Sequence, residues 1–144
     1  MPKVYISVKK QRAVIDRAHG RCEYCQRLAD YATETFAVDH IVPLSRGGTN
    51  ELDNLALACS GCNGRKYNKL EAPDPVTGEL APLFNPRTQL WEDHLCWSEN
   101  YSEVIALTSV GRVTIDVLQL NHRGLVNMRH ALYQIGKHPP LTLL

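Results

Sequence analysis

Apolar residues recur at helical spacing near the start of the chain, where Val8, Ala13, Val14, Ile15 and Ala18 interleave with Lys9, Lys10, Arg12 and Arg17. This pattern predicts an amphipathic helix from a Ser7 cap to His19, with Gly20 as its terminator. The periodicity then shortens. Thr35 to His40 alternates, with Phe36 and Val38 on one face and Ala37 and Asp39 on the other, which predicts a strand. Leu55 to Cys59 reads as a second short strand, and a helix is expected from about Ser60–Asn63 to Leu70. Pro43 and the run Gly47-Gly48-Thr49-Asn50 put a loop between the two strands.

The second half carries a different pattern. Glu71 to Pro86 contains Pro73, Pro75, Pro82 and Pro86, which predicts an extended connector with a turn at 75–78. Leu80, Leu83 and Phe84 are its packing residues. Trp91 to Trp97 is aromatic-rich, and core packing is the expected use of both tryptophans. Val104 to Thr108 reads as a strand, followed by helices over about Gly111–Leu120 and Leu125–Ile135, the second stopped by Gly136. The expected class is α+β: an N-terminal helix and a strand–strand–helix finger, then an extension with a short β element and about two helices. The division falls at residues 1–70 and 71–144, with the extension packing on the first part.

Composition narrows the class. Of 144 residues, 44% are hydrophobic and 22% charged, as in ordinary globular proteins. No apolar run approaches the ~20 residues that span a bilayer, so no membrane partner is expected. The first ten residues lack a long apolar core, so no secretory signal is read and the expected compartment is cytoplasmic. The net charge of +1 hides an asymmetry. Residues 1–70 hold eleven Lys and Arg against seven Asp and Glu; residues 71–144 hold five against eight. The basic half is the one with the cysteine pairs, as a phosphate-binding surface requires, although the excess is also that of an ordinary solvated surface.

Cys22-x2-Cys25 and Cys59-x2-Cys62 give four of the five cysteines metal-ligand spacing. Zinc takes four thiolates in a tetrahedron, and a CxxC turn supplies two. A redox reading needs only one pair and a thioredoxin-like context that is missing here. Cys96 is left over, and a small buried hydrophobe is its expected role. The long gap between the pairs holds Asp39, His40 and Asn54, and Asn63 follows the last cysteine. Asp39 and Asn63 offer hard oxygens that suit Mg²⁺ or Mn²⁺. Neutral His40 can take a proton from water. Asn54 can hydrogen-bond backbone and fix the histidine loop. Taken singly, an Asp-His dipeptide, a turn asparagine and a helix-cap asparagine mean little; the combination inside a cysteine frame means more.

Together, Cys22-x2-Cys25, Phe36 to Thr49 (FAVDHIVPLSRGGT), Asn54-Leu55 and Cys59-Ser60-Gly61-Cys62-Asn63-Gly64-Arg65-Lys66 resemble the zinc-containing HNH endonucleases. The resemblance covers about residues 20–70 and implies a ββα-metal finger. It implies Asp39 and Asn63 as ligands of a catalytic divalent ion, His40 as general base and Asn54 as positioner of the histidine loop. The last family letter is often histidine and is Asn63 here, a frequent variant. The cysteines would hold structural Zn²⁺, and the catalytic ion would be Mg²⁺ or Mn²⁺. The expected activity is hydrolysis of DNA to a 5′-phosphate and a 3′-hydroxyl, with double-stranded DNA as the expected partner. The alternative is a zinc-stapled nucleic-acid-binding module that does not cut. Arg65, Lys66, Arg46 and Lys69 are the expected phosphate contacts, with Lys9, Lys10 and Arg12 as further candidates. Expected protein partners are a second copy or a larger defence or mobile-element complex. Residues 71–144 also resemble an extension found in some small bacterial, notably cyanobacterial, HNH proteins, and His94, His122, His130 and His138 receive no role.

Overall fold

Ser7 starts the first helix, α1 (Val8–Ala18), because its hydroxyl accepts the Lys10 amide, and His19 ends it in a left-handed conformation, φ 54°. The computed structural model describes residues 5–140, and the chain falls into two compact units, residues 1–68 and 69–144. Among the described residues no helix is long and apolar enough to cross a membrane.

In the first unit, α1 packs on strand β2 (Leu55–Ala58), which pairs antiparallel with β1 (Ala37–His40) and is followed by helix α2 (Ser60–Lys66). The register sets Asp39 opposite Ala56 and His40 opposite Leu55. All four residues of β2 are buried, not every second one, because α1 and α2 both pack on this short strand. The apolar stripe of α1 is narrower than its sequence suggests. Val14 and Ala18, one turn apart, are buried, whereas Val8 and Ile15 are 54% and 45% exposed. A four-residue strand offers too little surface to cover the rest. Arg17 adds a polar anchor, donating to the carbonyls of Leu52 at 3.0 Å and Leu55 at 2.6 Å.

The segment between α1 and β1 is tied to the sheet through Glu23. Its amide donates to Leu57 O at 2.9 Å, and its carboxylate accepts the Leu57 amide at 2.8 Å. The β1–β2 connection folds back on itself at Gly48. A Cβ there would lie 1.7 Å from the Val42 carbonyl oxygen, so only glycine fits.

In the second unit the expected extended connector is a hairpin, β3 (Glu71–Pro73) with β4 (Leu80–Pro82). Ala81 and Leu83 pack with Val113 of helix α4 (Ser109–Leu118) as a small core, and Phe84 is also buried. Leu80, expected to pack, is 71% exposed because it alternates out of β4. The aromatic stretch is a helical turn, α3 (Trp91–His94), running into β5 (Leu95–Trp97), which pairs with β6 (Val104–Ala106). The unit closes with α5 (Arg123–Gln134). Both long helices start two residues ahead of their apolar pattern, since the Thr108 side chain and the His122 ring cap them. Trp91 and Trp97 are half-buried and in contact, ring centroids 5.1 Å apart, and Cys96 is half-buried, not buried as expected.

Two charged groups are built into this unit. Asp74 takes a bidentate pair of bonds from Arg112, Nη2 to Oδ2 at 2.7 Å and Nε to Oδ1 at 3.0 Å, which holds its carboxyl far below the usual carboxylate range. Arg129, 1% exposed, donates to the carbonyls of Leu120 at 2.6 Å and Ser102 at 3.0 Å and lies over the Trp97 ring.

Candidate functional site

The four cysteines converge. The Sγ atoms of Cys22, Cys25, Cys59 and Cys62 lie within 4.8 Å of one another, and all four residues are buried. Zinc–thiolate bonds of about 2.3 Å in a tetrahedron would put the sulfurs roughly 3.8 Å apart, and Cys25 and Cys59 are separated by 3.7 Å. In each pair the second cysteine amide donates to the first sulfur at 3.5 Å. Hydrogen bonds from Cys22, Cys25 and Cys62 hold the Cys59 thiol low, while the same packing against Cys22 raises Cys25 and Cys62. Four crowded sulfurs can all ionise only beside a cation, so this donor set fits zinc.

A second centre lies on the β1 side of α2. Val38, Asp39, His40, Pro43, Leu44, Asn63 and Tyr67 line an open cleft of about 280 Å³. β1 supplies the acid and the imidazole, and the first turn of α2 supplies Asn63, directly after the zinc-site Cys62. Three of the expected site residues, Asp39, His40 and Asn63, thus share one cavity wall.

Asp39 is 4% exposed, and its Oδ2 accepts from Tyr24 Oη at 2.7 Å and from Lys66 Nζ at 3.1 Å. Burial raises its carboxyl above the usual range, against the opposing pull of Lys66 and Tyr24. The Tyr24 hydroxyl is pushed well above the usual phenol by burial and by the Asp39 charge.

Lys66 corrects the sequence reading. Its side chain is 2% exposed, and Nζ donates to Asp39 and to the carbonyls of His40 at 2.9 Å and Ile41 at 3.0 Å. Its three N–H bonds are committed inside the fold, so it is not a phosphate contact. The α2 spacing turns Lys66 inward, three residues after Asn63 on nearly the same face. The other expected contacts are placed differently. Arg65 is half-buried, with Nη1 2.9 Å from where a Gly61 Cβ would sit, so it lies back along α2. Arg46, Lys9 and Arg12 are exposed in the first unit, and Lys69 is exposed in the second. Lys10 donates to Asn50 O at 3.0 Å.

Asn54 is 8% exposed and bonds only backbone. Its Oδ1 accepts the Val42 amide at 2.9 Å, and its Nδ2 donates to Val42 O at 3.0 Å and Thr49 O at 2.8 Å. These bonds close both ends of the loop that follows His40. Three residues were missed by the sequence reading. Tyr24 lies inside the first CxxC, and Asn50 Oδ1 is 2.7 Å from His40 Nε2. Tyr67 is 75% exposed at the cleft with a positive φ of 47°, which a bulky residue rarely adopts. The Gly-Gly-Thr-Asn run marked the turn; nothing in it signalled that Asn50 would reach the imidazole.

No curated protein and no solved structure matches the chain. A family model described as HNH endonuclease matches residues 22–69, from the first zinc-site cysteine past the end of α2. That span contains both centres, the cysteine cluster and the Asp39–His40–Asn63 cleft, so the likeness to the HNH endonuclease domain falls on the residues that build them.

Proposed function

We propose that this domain is a metal-dependent endonuclease that hydrolyses DNA phosphodiester bonds. The observation behind this reading is the shared cleft of Asp39, His40 and Asn63 beside a four-cysteine cluster. His40 acts as general base and removes a proton from water as its oxygen attacks phosphorus. The P–O3′ bond breaks, leaving a 5′-phosphate and a 3′-hydroxyl. A divalent ion such as Mg²⁺ or Mn²⁺, held by Asp39 and Asn63, would neutralise charge on the phosphate and the 3′ oxygen. The donor set suits such an ion: a carboxylate has about four lone-pair sites, and Tyr24 and Lys66 make three contacts with Asp39. Tyr24 and Lys66 hold that carboxylate in place, and Asn54 holds the backbone after His40. The cysteine zinc is structural and takes no part in the chemistry. Arg46, Arg65 and Lys69 are the proposed phosphate contacts, DNA duplex the proposed partner.

Plasmid incubated with Mg²⁺ or Mn²⁺ tests this. Wild-type protein should cut and His40→Ala should lose at least 100-fold in rate, in line with the typical worth of a general base. Equal cutting by both proteins would refute the role of His40.

A second reading draws on one observation, the Lys66–Asp39 ion pair. Lys66 already balances the Asp39 charge, as suits a zinc-stapled module that binds nucleic acid without cutting. That module would retain DNA in a salt-dependent way and show no metal-dependent products.

A further inference from the structure

We propose that Asn50 is a positioning residue that fixes the tautomer and the ring plane of His40, and that α1 holds Asn50 in place through Lys10. The inference rests on the proposed role of His40 as base. The Asn50 Oδ1 lies 2.7 Å from His40 Nε2, a full hydrogen-bond distance. An amide oxygen only accepts, so Nε2 carries the hydrogen. A neutral imidazole has one N–H and one lone pair. The lone pair is therefore on Nδ1, which takes no hydrogen bond from the described residues, and Nδ1 is the atom that receives the water proton.

The orienting group is itself fixed. The Asn50 carbonyl accepts Lys10 Nζ at 3.0 Å, from a helix 40 residues away in sequence. Lys10 also lies 3.9 Å from the Glu51 carboxylate. On the other side, Asn54 Nδ2 holds the Thr49 carbonyl at 2.8 Å. The peptides flanking Asn50 are thus held by two separate side chains, more than a solvent-exposed turn needs. Lys10 serves as a clamp on this loop, not as a phosphate contact. An asparagine directs the ring without adding charge beside it, whereas an aspartate would accept the same hydrogen with a full negative charge.

The test compares wild type, Asn50→Ala, Asn50→Asp and Lys10→Met on plasmid with Mg²⁺, alongside ¹⁵N spectra of the His40 ring nitrogens. Wild type should show the Nε2–H tautomer. Asn50→Ala should lose that single signature and about 10- to 100-fold in kcat, the usual range for a group that orients an active-site histidine, with the KM for plasmid little changed. Asn50→Asp should restore the Nε2–H tautomer and most of kcat, and Lys10→Met should show a smaller loss of the same kind. A wild-type Nδ1–H tautomer, or an Asn50→Ala protein with wild-type spectrum and kcat, would overturn the proposal. The two readings fail separately. Wild type that never cuts, but whose Nε2–H signature depends on Asn50, sinks the nuclease and keeps the positioning. Wild type that cuts, with His40 indifferent to Asn50, does the reverse.

Discussion

The two units are nearly equal in length, yet they are held together in different ways. The first builds four buried cysteines into its core beside residues such as Val14, Tyr24 and Leu55 to Ala58, and its two strands are four residues long. The second has two hairpins, two helices of 10 and 12 residues and a small apolar core without cysteine, with Arg129 and the Asp74–Arg112 pair as its polar anchors. Domains of this size bury too little surface to be comfortably stable. The second unit meets that limit with packing and internal hydrogen bonds. The first uses its polar residues for a cleft, and a metal held by the cysteines would tie its core together.

Stripping the metal that the four cysteines would hold is the strongest way to break this comparison. Structural zinc sites contribute roughly 10–16 kcal/mol of apparent binding energy, so a chelator should open the first unit and spare the second. Hydrogen exchange read by mass spectrometry should show fast exchange in residues 20–68 and little change in 75–135. Uniform exchange in both would mean that the cysteines are not the staple.

The next effect is a buried ion pair. Lys66→Met leaves Asp39 buried and unpaired, which should cost about 3–5 kcal/mol, read as a lower urea midpoint for the first unit. Adding Asp39→Asn to Lys66→Met should recover part of it, because the two residues are coupled. An additive double mutant would show that the contact contributes nothing specific.

In the second unit Arg129→Met keeps the length of the stem and removes the donors. The Leu120 and Ser102 carbonyls are left without their partner, for an expected loss of about 2–4 kcal/mol. Loss of that size in the second unit alone would sharpen the contrast; equal loss in the first would dissolve it.

The smallest effect is one of pH. Arg112 depresses the Asp74 carboxyl in the folded state. Its contribution is therefore fully present above the unfolded value, near pH 4, and declines as pH falls toward the folded value. Acid melts should show the second unit weakening below about pH 4, and Asp74→Asn should remove that slope while lowering stability at neutral pH. A slope that survives the substitution would assign it to another carboxyl.

Features set by spacing were legible in the sequence. CxxC pairs can only turn back on themselves, so the cluster followed from Cys22, Cys25, Cys59 and Cys62. Helix α1 followed from its Ser7 cap, and α4 and α5 from their apolar period. The β3–β4 hairpin was hidden because Pro73, Pro75 and Pro82 argue against strands, yet Pro73 and Pro82 sit at strand ends. Exposure of Ile15 depended on how little sheet lies under α1. Lys66 was misread because its acceptors come from β1 and the residue after it, 25 to 27 residues away. A lysine on an exposed-looking turn carries no mark of such partners. Asn50 was likewise read as turn chemistry, since its bond to His40 exists only once Gly48 has folded the loop back.

Cys62 and Asn63 are adjacent in α2, one facing the sulfur cluster and the other lining the cleft. Successive helical residues point about 100° apart, so the helix serves two centres with consecutive side chains. An inserted or deleted codon between Cys59 and Lys66 would rotate everything beyond it and misalign both centres at once. Side-chain changes are another matter: a Cβ at Gly64 would meet nothing within 4 Å. Relatives of this chain should therefore keep the Cys59–Lys66 count constant while varying its open positions.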